Sequence, residues 1–292
     1  DPACGSAGFL VEAYLHMKRN EKTTKDHEIL QRHAFFGQES GELAFLLGSM
    51  NMILHGVLRP TIMRRNTLED NIRNIPDSER HHVVLSNPPF GGKESRQIQQ
   101  NFPVQSQATE LLFLQHVLKK LKVNGRCGIV LPEGVLFRGD AFARVKKELL
   151  ENFNLHTVVS LPAGVFLPYS GVKTNLLFFN RTGPTREVWY YEVQPPNGGR
   201  FTKGNPIQDE HLADALDMWK ERSVSDASWV EHVQALVGRG YDVTAKNPQR
   251  PEDAEHRAPQ EIVVSLLEKE RQIASIVEEI GELLSKNREE HS

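Results

Sequence analysis

His82-Val83-Val84-Leu85 runs into Ser86-Asn87-Pro88-Pro89-Phe90 and then Gly91-Gly92. An apolar run that stops at a Pro-Pro pair reads as a buried strand halted at its C-terminal end. Ligands of open α/β sheets bind just outside such strand ends. The residues here suit the gripping of a flat amino group. Asn87 offers a side-chain carbonyl acceptor. Pro88 has no N–H and holds its own carbonyl as a second acceptor in a rigid geometry. Phe90 offers a face on which a base can stack. The exocyclic amine of a nucleobase is a poor nucleophile, because its lone pair is delocalised into the ring. Two acceptors on its N–H bonds draw it toward tetrahedral geometry and free that lone pair. Asn-Pro and Pro-Pro also mark ordinary turns, so the stretch alone leaves a plain turn after a core strand equally open.

The beginning of the chain narrows the choice. Asp1-Pro2-Ala3-Cys4-Gly5-Ser6-Ala7-Gly8-Phe9-Leu10 is a loop of small residues running into a helical pattern carried by Phe9, Leu10, Ala13, Tyr14 and Met17. Gly5 and Gly8 let the backbone turn sharply and approach a ligand, the helix N-terminus supplies free N–H groups, and Asp1 is placed to hold an ammonium group. After the apolar run His33-Ala34-Phe35-Phe36-Gly37, read as a short strand, come Gln38 and Glu39. A carboxylate at that place accepts both hydroxyls of a ribose in nucleoside-binding folds; the plainer reading of Glu39 is a favourable charge at the start of the next helix.

Together the two motifs resemble the S-adenosylmethionine-dependent amino-methyltransferases of DNA, and within them the modification (M) subunit of type I restriction–modification systems, which methylates adenine at N6. Phe36-Gly37-Gln38-Glu39, Asn66-Thr67-Leu68, residues 125–137, Leu161-Pro162-Ala163-Gly164-Val165-Phe166 and Gly240-Tyr241-Asp242 support the resemblance, which covers nearly the whole chain. It implies S-adenosyl-L-methionine as cofactor, held by Asp1, Ala3, Cys4, Gly5, Ser6, Gly8, Glu39, Asn66, Thr67 and Leu68. It implies that Asn87, Pro88, Pro89 and Phe90 carry the catalysis on an adenine flipped out of double-stranded DNA. The implied partners are a specificity (S) subunit, a second M subunit and, in the full complex, a restriction (R) subunit. Ala7 and Asn66 depart from the family's pattern; Asn66 stands where an aspartate usually accepts from the cofactor adenine and keeps one acceptor oxygen without the charge. Asn-Pro-Pro-Phe by itself excludes neither cytosine N4 nor a glutamine amide. A competing reading is an N-terminally truncated, inactive assembly subunit, since a strand is expected before Asp1 and the family carries a helical region ahead of it.

Composition fits a protein without a membrane span. The chain has 292 residues, a formal net charge of -3 and two cysteines, Cys4 and Cys127. Two cysteines make no disulfide framework, as expected in a reducing cytoplasm. The charge is unlike that of a lone DNA-binding domain, so any basic face is local or supplied by a partner. The histidines show no metal-ligand spacing. Strand and helix patterns alternate through the run from Thr174 to Phe179, which predicts an α/β fold with a doubly wound Rossmann-like sheet over residues 1–194. Residues 91–107, polar and without period, read as a mobile loop beside the site. Residues 195–260 read as a linker with a small helical region, including helices over 212–219 and 229–236. Residues 261–292 read as a C-terminal helix for subunit contact, with Leu266, Ile273 and Ile280 at heptad spacing. Phe166 is a candidate second wall for a flipped base; its plainer reading is core.

Overall fold

In the computed structural model, which describes residues 1–195, 201–249 and Glu270, the strand before Asn87 is β3 (His81–Ser86). It forms one edge of a six-stranded sheet. From that edge the order is β3, β4 (Leu121–Pro132), β6 (Thr174–Asn180), β5 (Asn154–Leu161), β7 (Glu187–Glu192) and β8 (Ser228–His232). β3 is parallel to β4, and β5 to β7, while β6 runs antiparallel to both β4 and β5. β3, β4 and β5 therefore end on the same side, and the loops after Ser86, Pro132 and Leu161 share one rim. A separate parallel ribbon pairs β1 (Phe36–Glu39) with β2 (Thr61–Arg64).

Helices cover both faces of the large sheet, because alternate residues of a strand point to opposite sides. Val84, Ile129, Val158 and Leu177 pack on one face against Leu111 and Leu114 of α5 (Thr109–Lys120) and Val145 and Leu149 of α7 (Ala141–Asn152). On the other face Val159, Leu161, Trp189 and Tyr191 pack against Ala215 of α8 (Glu210–Glu221). The doubly wound α/β expectation is borne out. Around the ribbon lie α1 (Gly8–Lys18), α2 (Thr24–Arg32) and α3 (Glu42–Leu54). Short helices α4 (Arg96–Gln99), α6 (Glu133–Phe137) and α9 (Val233–Gly238) complete the set among the described residues. None of the described helices is long and apolar enough to cross a membrane.

Several expectations need correction. The first unit runs from Asp1 to Asn247, so the sheet continues past residue 194 into β8 rather than giving way to a linker. The stretch 229–236 is not one helix: Trp229 to His232 belong to β8, which closes the sheet edge, and α9 follows. Residues 91–107 are not free chain. They hold α4, capped by the Ser95 side chain, and a backbone bond from Glu94 N to Gln107 O of 2.9 Å. Phe102 is fully buried with Leu68, Ile72 and Leu112. The polar stretch after α1 contains α2, which opens on a capping box of Thr23 and Asp26. Strand β1 begins at Phe36, later than the apolar run suggested. On α3 the apolar side chains Leu43, Leu47, Met50 and Leu54 stand exposed among the described residues, and its inward contact is made by Gly48 and Met52. The helix expected over 261–292 lies outside the described residues, Glu270 excepted.

Candidate active site

Asp1 joins the two motifs. Its carboxylate Oδ1 accepts from the Ala3 N–H at 3.0 Å and from the Ser86 hydroxyl at 2.8 Å. Ser86 is the last, buried residue of β3, so this bond fixes the glycine-containing loop against the strand end that presents Asn87. The loop is also stitched to β1, with Gln38 N donating to Asp1 O and Cys4 N to Gln38 O, both at 3.0 Å. Thr67 donates its hydroxyl to the Pro2 carbonyl at 2.6 Å and lies 3.0 Å from the Gln38 side-chain amide. The Ala3 and Cys4 amides and the Thr67 hydroxyl are thus engaged inside the protein.

Glu39 is placed to do more. One carboxylate oxygen accepts from Gly5 N at 3.0 Å and the other from Gly41 N at 2.7 Å. Each oxygen has a second lone pair, so a partly exposed carboxylate held in place by two amides still has acceptor sites for a pair of hydroxyls. Gly5 has φ +51°, and nothing lies within 4 Å of where a Cβ would stand on Gly5 or Gly8, so space is open over the loop. Ala7, buried, takes the left-handed conformation (φ 62°) ahead of α1 and offers no side-chain cap. The N–H groups at the start of α1 are free to meet an anionic group. Ribose hydroxyls, a carboxylate and an ammonium group are among the polar parts of S-adenosylmethionine, and Glu39, the α1 N-terminus and the Asp1 Oδ2, without a partner among the described residues, fit them. Asn66 Oδ1 accepts from Leu68 N at 3.0 Å, capping a short turn; one lone pair remains for an amino group. Leu68 lies beneath that turn, buried on Phe102.

Across the link from Ser86, Asn87 is exposed and Pro88 buried. Among the described residues neither the Asn87 carboxamide nor the Pro88 carbonyl has a hydrogen-bond partner, whereas the Pro89 carbonyl accepts from Thr109 Oγ1 at 3.4 Å. The turn is anchored at Pro89 and leaves its two preceding acceptors open. Phe90 meets Phe166 edge to face, with ring centroids 5.9 Å apart and planes at 87°. The two aromatic residues touch, although they come from different loops, after β3 and after β5.

The local electrostatics give no sign of acid–base or thiol chemistry. The Cys4 thiol is packed under the loop, and burial pushes it up to about 11. Burial also raises the Cys127 thiol. No cluster of metal-ligating side chains occurs among the described residues. A shallow depression lined by Lys18, Lys22 and His27 lies at the C-terminal end of α1, opposite the loop.

Sequence reasoning missed the residues that aim the loop. Gly48 of α3 packs against loop backbone, and a Cβ there would lie 2.7 Å from the Gly5 carbonyl. Asn51, one turn on, donates to the Ser6 carbonyl at 2.8 Å. At Gly37 a Cβ would stand 2.9 Å from Cys4 Sγ. The available signal was a glycine in the middle of an apolar helix, which usually marks a close packing contact.

Comparison with known proteins finds relatives in sequence and in fold. The chain is 38% identical to the type I restriction enzyme EcoEI methylase subunit of Escherichia coli over 97% of its length, covering 60% of that protein. Among solved structures, a chain described in work on assembly and conformational transition of the type I R-M system superposes with a TM-score of 0.85 at 59% identity. That match covers 98% of this chain and 61% of the other. The type I restriction enzyme EcoKI M protein matches with a TM-score of 0.66 at 32% identity, over 75% of this chain and 48% of that one. The chain therefore spans about three fifths or less of these relatives. The profile of the N-6 DNA Methylase family matches residues 1–257, and the chain belongs to that family.

Proposed function

We propose that this chain carries the catalytic part of a modification subunit that transfers a methyl group from S-adenosylmethionine to N6 of an adenine flipped out of duplex DNA. The observation that carries the reading is the open pair of acceptors, Asn87 carboxamide and Pro88 carbonyl, tied through Ser86 to the loop of Asp1 by a 2.8 Å bond. Bound S-adenosylmethionine would supply an electrophilic methyl group on a sulfonium, already a good leaving group. The protein's task would then be positioning, and the proton that the methylated amine gives up would pass to solvent. Asn87 and Pro88 each accept one N–H of the target amine and draw its nitrogen toward tetrahedral. Phe90 offers its face to the ring; Phe166, edge to face with Phe90, walls the same pocket from the side; and Glu39 with the α1 N-terminus fixes the donor. Inside a duplex the amine would be out of reach, so the base has to leave the stack. Specificity, second modification and restriction subunits are the partners this reading supplies.

The test is to incubate the full-length subunit, assembled with its specificity partner, with methyl-labelled cofactor and duplex DNA, and to identify the labelled nucleoside. Label in N6-methyladenine supports the reading. Label in N4-methylcytosine, or in protein glutamine, would replace it.

A further inference from the structure

We propose that Tyr169 is the side chain that enters the base stack where the target adenine leaves it. The inference deepens the reading above and rests on it. Tyr169 is 93% exposed, the most exposed of the large apolar and aromatic side chains described. No described residue bonds its hydroxyl. Yet its backbone is not loose. Tyr169 N donates to Phe166 O at 2.8 Å, Ser170 N to the same carbonyl at 3.0 Å, and Leu167 N to Gly164 O at 3.1 Å. Gly164 has φ +93° and presses on the Phe201 backbone so closely that a Cβ would lie 2.4 Å from the Phe201 carbonyl, which pins the start of the loop. An aromatic ring thus stands in solvent on a hydrogen-bonded turn, one turn from Phe166, whose own ring meets Phe90. The loop leaves the sheet on the rim that carries Asn87, because β3 and β5 point the same way.

Among the described residues, no packing role holds this ring out in water. The ring has a purpose beside a duplex from which one base has been extracted. Extraction costs a few kcal/mol of pairing and stacking, and inserted side chains offset such unstacking in other complexes. An aromatic face stacks on any base, so the device does not depend on the neighbouring sequence. Phe166 receives the flipped base while Tyr169, on the same turn, fills the space behind it.

The experiment compares the assembled enzyme with its Tyr169→Ala, Tyr169→Phe and Phe137→Ala variants, Phe137 being another exposed aromatic residue on this rim. Methyl transfer (kcat/KM) is measured on a duplex with the target adenine paired and on one with an abasic site opposite it, where the pairing cost is gone. Tyr169→Ala should lose about fivefold to 150-fold on the paired duplex, the range of one base-aromatic stack, and should return to within a few-fold of the unsubstituted enzyme on the abasic one. Tyr169→Phe should keep full activity, since the hydroxyl has no partner. Unchanged activity of Tyr169→Ala, a defect equally large on both duplexes, or the same pattern in Phe137→Ala instead, would overturn the assignment. Absence of adenine methylation by the unsubstituted enzyme would overturn the parent reading, and this one with it.

Discussion

Replacing Gly48 by alanine probes how the donor loop is held. A Cβ at this position would lie 2.7 Å from the Gly5 carbonyl oxygen and 3.4 Å from Ala7 N. Ordinary contact begins near 3.4 Å, so the loop or α3 must give way by about 0.7 Å. Side-chain rotation offers no relief, because the atom met is backbone. Overpacking of this kind costs about 1–3 kcal/mol, of which alanine's better helix propensity returns only about 0.5–1 kcal/mol. The loop is the softer partner, since α3 carries its own backbone ladder. A displaced Gly5 moves away from Glu39, to which its amide donates at 3.0 Å. Losing that charge-assisted bond and the aim of the carboxylate is worth about 1.5–3 kcal/mol, or roughly tenfold to over a hundredfold in affinity. Calorimetric titration of S-adenosylmethionine into Gly48→Ala should show that loss, with the melting temperature lowered by only a few degrees. Cofactor affinity equal to the parent chain's would refute the claim that α3 positions the loop.

Other substitutions test separate parts of the account. Glu39→Gln replaces one carboxylate oxygen by an NH2 group that cannot accept, so only one of Gly5 N and Gly41 N keeps its acceptor; cofactor affinity should fall by about tenfold or more, by more than the loss of stability read from the denaturation midpoint. Phe102→Ala empties a fully buried site against Leu68 and Leu112 and should cost about 3–5 kcal/mol in a denaturant titration, where a free loop would cost almost nothing. Lys146 is buried with its ammonium on the carbonyls of Leu136 and Arg138, and burial lowers its pKa to about 8. The unfolded chain binds that proton more tightly, so the penalty is complete below pH 8 and is relieved as pH rises toward the unfolded value. Stability of the parent chain relative to Lys146→Met should therefore rise between pH 8 and 10.

Much of this was legible because local chemistry and global position agreed. Pro88 and Pro89 end β3 wherever the strand lies in the sheet, and Glu39 closes a strand that only four residues are needed to form. Alternating apolar patterns placed α5 and α7 on the sheet. What escaped depended on distant partners. Trp229 and Val230 have the composition of either a short helix or a strand, and only pairing with β7 decides. The direction of β6 follows from the missing crossover helix between Leu161 and Thr174, a signal of absence that the run of apolar strands masked. Phe102 lies among glutamines and serines, so its burial is invisible until Leu68 and Leu112 are placed around it. The bond between Asp1 and Ser86, which makes one site of two motifs, spans most of the first half of the unit and leaves no local trace.

The central claim is that Asn87 and the Pro88 carbonyl act on the amine and not on the donor. The measurement that tests it most directly is Asn87→Ala in the assembled enzyme, scored for both cofactor affinity and methyl transfer to adenine. The account predicts near-normal cofactor binding with transfer reduced by at least about a hundredfold, the scale set by removing a group that acts chiefly in the transition state. Transfer at a rate close to that of the parent enzyme would contradict it.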